Sequence, residues 1–197
     1  MEFLKTLISV ITHPVIGLFL LNKGLTKFRI GRRIKCRRFS RFFSIDDGFC
    51  IGDDARLLFI DEYHGGSYSP FLRIGSGVNI GNRFSCLCSD SVTIGDRTLI
   101  ASDVFITSYN HGMELEEYSS YGDTPLVSKP VKIGKGCWIG EKAVILPGVE
   151  LGDRCIVGAG SIVSKSFPDR CIIGGVPAKI LKLYNSEKKR WENKESV

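Results

Sequence analysis

No apolar stretch in this chain is long enough to cross a bilayer as a helix. Residues 1–21 are strongly apolar, but Lys5, His13 and Pro14 interrupt them, and the uninterrupted part falls short of the roughly 20 residues a span needs. No convincing small-residue cleavage site follows, so a secretory leader is not expected. The seven cysteines are an odd number without disulfide-framework spacing. That argues against a stapled secreted scaffold and for free thiols in a reducing compartment, hence the cytoplasm. The three histidines, His13, His64 and His111, show no paired spacing, so a zinc-type centre of converging ligands is not indicated and no metal is expected. Although there are 22 glycines, none belongs to a phosphate-cradling loop of the P-loop or Rossmann type. From Lys23 to Arg41 nine Lys and Arg occur without one acidic residue. No recognisable nucleic-acid module accompanies them, and nucleic acid is not an expected partner.

What the chain does have is a six-residue rhythm. Aliphatic residues recur at Ile133, Ile139, Ile145, Leu151, Val157 and Val163, and a small residue follows in five of the six cases. Neither the helical period of 3.6 nor the strand period of two accounts for six. A solenoid whose units each form one flat face does. The lattice continues upstream at Ile74, Ile80, Ile94, Ile100 and Ile106, with an earlier echo at Ile45 and Ile51. Two residues before the anchors stand further short or β-branched side chains, among them Val131, Ala143 and Val149. Residues two apart share a strand face, so both positions point inward, and the glycine after the anchor is expected to help the chain turn. Three faces close a triangular coil of about eighteen residues, stacked as parallel strands around one aliphatic column. Cys86, Cys88, Cys137, Cys155 and Cys171 fall on inward positions as small hydrophobes. The lattice slips twice: fourteen residues replace twelve between Ile80 and Ile94, and it stops at Ile106 to resume at Ile133. Residues 107–130 are read as a long loop thrown from one corner, where a rigid scaffold often carries function.

At 197 residues and 43% hydrophobic content, the chain supports one sizeable core. Residues 1–44 are expected to form an apolar, then basic, cap segment; residues 45–176 the β-helix; residues 177–197 a helical tail. The N-terminal segment either packs on the solenoid's open end or lies, through residues 1–41, on an anionic membrane surface, and the two roles are compatible.

The tandem hexapeptides, Asn110-His111 in the long loop, the segment Val131–Gly140 and the close Gly175-Val-Pro-Ala-Lys179 together resemble the hexapeptide-repeat acyltransferases, specifically the maltose/galactoside and O-antigen acetyltransferase branch. The resemblance implies an all-β, left-handed parallel β-helix, against the usual right-handed rule for parallel crossovers. It also implies a homotrimer with active sites between subunits and acetyl-CoA as donor. It assigns His111 as general base, a task that suits histidine because its pKa lies near working pH. Asn110 would orient His111 or touch the sugar. Trp138 would line the CoA channel, with Ala159, Gly160, Ser164 and Lys165 flanking the pantetheine arm and phosphates, and Lys179 and Lys182 as phosphate partners. Family members often hold the acceptor with an asparagine near residues 85–90. This chain has none there, which leaves Ser85 and Asp90 as substrate-binding candidates. Glu141 stands where a small hydroxyl residue is common, and His64 reads as part of an exposed loop. The expected function is acetyl-CoA-dependent O-acetylation of a sugar or lipid-linked glycan, in surface-polysaccharide or O-antigen modification. N-acetylation of an amino sugar or drug on the same fold, and a non-catalytic scaffold, are the alternatives.

Overall fold

The structure, a computed structural model, describes residues 4, 6, 7, 14–36, 41–114 and 116–193. Its backbone winds into a three-sided parallel β-helix, each turn giving one short strand to each of three sheets. The first sheet stacks Phe28–Ile30, Phe49–Ile51, Asn79–Ile80, Leu99–Ile100, Trp138–Ile139, Ile156–Val157 and Cys171–Gly175. The second stacks Lys35–Cys36, Arg56–Phe59, Ser85–Cys88, Phe105–Thr107, Val144–Ile145 and Ile162–Val163. The third stacks Phe43–Ile45, Phe71–Ile74, Ser91–Ile94, Val131–Ile133 and Glu150–Leu151.

Register follows the hydrophobic lattice. Ile45, Ile74, Ile94, Ile133 and Leu151 pair in one inward column, while Ile51, Ile80, Ile100, Ile139, Val157 and Ile173 form another. A slip of one residue would turn every anchor to solvent, which is why burial fixes the pairing. All five cysteines on the lattice are buried and free.

The glycines after the anchors have a different task from the one expected. A Cβ on Gly134 would lie 2.6 Å from the backbone of Gly152, and one on Gly140 would lie 2.6 Å from Ala159 N and Val157 O. Close approach of the next coil, rather than turning, excludes side chains there. The turn itself comes two residues further on, and arginine and lysine serve as well as glycine: Arg97, Lys142, Arg154 and Arg170 all have φ between 52° and 58°.

Both ends also differ from the sequence reading. Coiling begins at Phe28–Ile30, whose residues pair with Phe49–Ile51, so the first coil lies inside the basic run instead of after it. Helix α1 (Pro14–Asn22) precedes it and buries Leu20 to 2% exposure in the core. Thr6 Oγ1 lies 3.2 Å from both the amide and the carbonyl of Phe28. His13 and residues 37–40, on which part of the N-terminal reading rests, lie outside the described residues. The expected helical tail is instead an antiparallel pair, Ala178–Asn185 and Arg190–Asn193, which extends the first sheet from Cys171–Gly175. An open sheet edge offers a full row of hydrogen-bond partners to the chain that folds back along it, and this outweighs the helical leaning of a Lys-rich tail.

Candidate active site

Three consecutive coils leave the lattice at one place, the corner between the second and third sheets. The second coil inserts residues 60–70 there, the third the pair Ser89-Asp90, and the fourth residues 108–130. Because the coils stack in register, these segments lie one above another.

The middle segment is the floor. Buried Ser108 Oγ accepts from the amides of Ser89 and Asp90, each at 3.0 Å, and donates to Asp90 O at 3.1 Å. Above it Tyr109–His111 runs antiparallel to Leu126–Ser128, with His111 opposite Leu126. Gly112 N donates to Pro125 O at 3.0 Å, and the fully buried Thr124 Oγ1 donates to Tyr121 O at 2.7 Å. Burial pushes the Tyr109 phenol above its usual pKa.

The segment below is a hairpin, Glu62–Tyr63 with Gly66–Ser67. His64 and Gly65 turn it at φ 42° and 77°, the positive angles that a two-residue hairpin demands. It is tied upward by two phenols: Tyr63 Oη donates to Gly122 O, and Tyr68 Oη accepts from Leu126 N at 2.7 Å. The Tyr63 ring meets His64 and His111 edge-on, with centroids 4.5 Å and 5.5 Å away. His111 is solvent-exposed, so its ring edge rests on Tyr63 while the rest remains open to a ligand.

The remaining candidates divide among several places. Asn110, next to His111 on an extended strand, points to the opposite face and sits across from Val127, away from the imidazole. Asp90 lies in the floor, its Oδ1 accepting from Ser91 N at 2.6 Å. Ser85 is on the outer face of the second sheet, between Arg56 and Phe105, and does not reach the corner floor. Trp138, 52% exposed, stands on the outer face of the first sheet. It belongs to an outward column running Leu99, Trp138, Ile156, Ile172 and then Lys182, with Lys179 one step along, opposite Gly174. Ala159 and Gly160 form the corner between the first and second sheets, Gly160 N donating to Glu141 O at 2.7 Å. Ser164 and Lys165 follow the last strand of the second sheet, with Lys165 Nζ 5.8 Å from the Phe167 ring centroid. On a triangular prism the first-sheet face lies opposite the corner that carries His111. A single chain therefore holds the Trp138 column and His111 apart.

Sequence reasoning missed Tyr63, Tyr68 and Ser108. The available signal was phase: residues 60–70 and 108–130 both interrupt the lattice after a second-sheet anchor and before a third-sheet one.

A three-sided solenoid of six-residue units with a loop-built histidine site at one corner defines a class. Family profiles described as "Bacterial transferase hexapeptide (six repeats)" and "Hexapeptide repeat of succinyl-transferase" match residues 130–165 and 72–108. The chain belongs to the hexapeptide-repeat acyltransferases, and its fold is their left-handed parallel β-helix. The solved galactoside acetyltransferase in complex with coenzyme A is 30% identical, with a TM-score of 0.58 over 78% of this chain and 71% of that one. Among curated proteins, Escherichia coli K12 WbbJ, assigned to lipopolysaccharide biosynthesis as an O-acetyl transferase, is 49% identical over 52% of this chain and 56% of its own length. The galactoside O-acetyltransferase of the same strain is 35% identical over 61% of each chain. The chain thus spans somewhat over half the length of the curated relatives it matches.

Proposed function

We propose that the chain is an acetyl-CoA-dependent O-acetyltransferase of a sugar hydroxyl, working as a homotrimer whose sites form between copies. The observation that carries this reading is the position of His111, exposed at a two-loop corner and opposite an apolar outer column that ends in lysines. A second copy that lays its first-sheet face against this corner unites the two halves. Leu99 and Trp138, 46% and 52% exposed, give that face the apolar character of an interaction surface.

The column suits a long thioester carrier. Trp138, Ile156 and Ile172 offer apolar contact over ~10 Å, two strand spacings, for a pantetheine arm, and Lys179 and Lys182 offer cations for its phosphates. Acetyl-CoA supplies the acetyl group in activated form. His111 removes the acceptor hydroxyl's proton as attack proceeds, a step contributing ~10²–10⁴ in rate. Tyr63 steadies the imidazole and gives the acceptor ring a flat neighbour.

The names of the two curated relatives favour a sugar hydroxyl over an amine, and WbbJ's a surface polysaccharide. A lipid-linked acceptor accords with the N-terminus, where Leu4, Leu7, Leu18 and Leu21 are exposed beside Lys23 and Lys27. These groups suit peripheral contact with an anionic membrane. Among the described residues no helix is long and apolar enough to cross one.

The test combines acetyl-CoA calorimetry with thiol release over a panel of sugars and glycolipids, for wild type and His111→Gln. Binding with turnover that falls ~10²–10⁴ in a folded variant supports the assignment. Absence of acetyl-CoA binding, or full turnover in His111→Gln, removes it. Trimer sharing has its own readout: mixed His111→Gln and Trp138→Ala chains should regain about a quarter of their sites in shared assemblies, and none if each copy works alone.

A further inference from the structure

The C-terminal hairpin was unforeseen in the sequence, and with the last corner of the solenoid it encloses a cleft of about 460 Å³. Its walls are Arg154, Arg170, Tyr184, Ser186, Lys189 and Trp191. The cleft lies at the corner between the third and first sheets, away from the His111 loops; its Arg170 and Tyr184 stand two residues from Ile172 and Lys182, where the outward Trp138 column ends. We propose that it is a separate binding site for a nucleotide, taking the phosphates on its cations and the base on its aromatic pair.

Charge is the first argument. Arg154 and Arg170 occupy the same turn position on successive coils, with φ 58° and 52°, so their backbones lie about 4.8 Å apart and their side chains leave in parallel. Elsewhere in the fold arginines at corners hold carboxylates: Arg33 grips Asp54 and Arg83 grips Asp103 through paired bonds of 2.6 Å. Here the neighbouring carboxylates are occupied by backbone. Asp153 Oδ1 accepts from Lys135 N at 2.7 Å and Asp169 Oδ1 from Asp153 N at 2.8 Å. On the hairpin Glu192 takes Lys188 and Arg190, which leaves Lys189 to the cleft. Among the described residues no ion pair neutralises Arg154, Arg170 or Lys189. Two guanidiniums and an ammonium lining one cleft repel one another until an anion joins them, and guanidinium forks match phosphate oxygens in pairs.

Shape is the second. Arg170 Nη1 donates to Ser186 Oγ at 2.9 Å, which fixes that fork before any ligand arrives. Tyr184 and Trp191, both half-buried, meet edge-to-face with centroids 5.3 Å apart, leaving ring surface toward the cleft. The volume falls within the ~300–1,000 Å³ typical of small-ligand sites. Aromatic stacking of a base is worth ~1–3 kcal/mol, a gain that inorganic phosphate cannot make.

The experiment is calorimetry of ADP, adenosine and pyrophosphate on the full chain, on an Arg154→Gln/Arg170→Gln variant, on Trp191→Ala and on a Lys179→Gln/Lys182→Gln variant. Wild type should bind ADP at least tenfold tighter than either fragment. The arginine variant and Trp191→Ala should each weaken ADP at least tenfold, with melting temperature unchanged for the exposed arginines, while the lysine variant leaves ADP binding intact. Three results would overturn the proposal: no ADP binding to wild type, pyrophosphate binding as tightly as ADP, or ADP lost in the lysine variant and kept in the arginine variant.

Discussion

Tyr63 links the two loops that build the corner site, and its removal separates loop order from fold stability. Its hydroxyl donates to Gly122 O, and its ring touches His111 edge-on at 5.5 Å. A hydrogen bond of this kind contributes about 0.5–1.5 kcal/mol net, and an edge-to-face ring contact about as much again. Tyr63→Phe deletes the first and keeps the second, so amides of the 108–130 loop should exchange with solvent ~2–13-fold faster. Tyr63→Ala deletes both, for about 1–3 kcal/mol and ~5–160-fold. Gly112 N and Leu126 N are the reporters, since both are bonded within the loop system. Turnover should fall in the same order, because the imidazole loses its support. The denaturation midpoint should barely move, since Tyr63 is outside the buried core. Wild-type exchange in Tyr63→Ala, or a midpoint that drops in step with exchange, would refute the coupling of the two loops.

Three further outcomes follow from the geometry. Gly134→Ala forces a Cβ to 2.6 Å from the Gly152 backbone; overpacking costs about 1–3 kcal/mol, and the melting temperature should drop by ~2–12 °C in a thermal scan. Ser108→Ala strands the amides of Ser89 and Asp90, each bonded at 3.0 Å to its hydroxyl. At about 1–3 kcal/mol per orphaned buried group, urea unfolding should show a loss of ~2 kcal/mol or more. Hydrogen bonds from Asn185 and Lys188, with Arg190 assisting, hold the Glu192 carboxyl at about 2. A depressed carboxylate stabilises the folded hairpin above the usual Glu range and loses that contribution as pH falls toward 2. Trp191 emission in a Trp138→Phe background should report hairpin loosening across that window, and Glu192→Gln should abolish the pH dependence.

Much of the fold could be read from the chain because the solenoid's inward columns are written directly as Ile133, Ile139, Ile145 and their counterparts. The early coil was harder. Phe28, Phe49 and Phe43 replace aliphatic residues, and aromatics dilute a pattern built on branched side chains. The hairpin tail escaped because its strands answer to an open sheet edge, a property of the assembled sheet and not of residues 178–193 themselves. Of the candidate site, His111 was named through its motif. Tyr63 was not, because its role depends on two insertions, residues 60–70 and 108–130, leaving at the same phase. Trp138 could be named as a candidate, but its position opposite His111 emerges only once three faces have been counted around the prism.

The coincidence of insertions at one corner has a consequence for how such a chain changes over time. Each coil touches only its neighbours, so the chain can wander outward by two, eleven or twenty-three residues and still re-enter at the same height. Nothing on the other two corners moves when it does. Length at the His111 corner can therefore be rewritten by insertion and deletion while the Trp138 column keeps its spacing to a strand's width. Under the proposed function, acceptor choice and donor recognition would be free to diverge independently, because the lattice insulates one from the other.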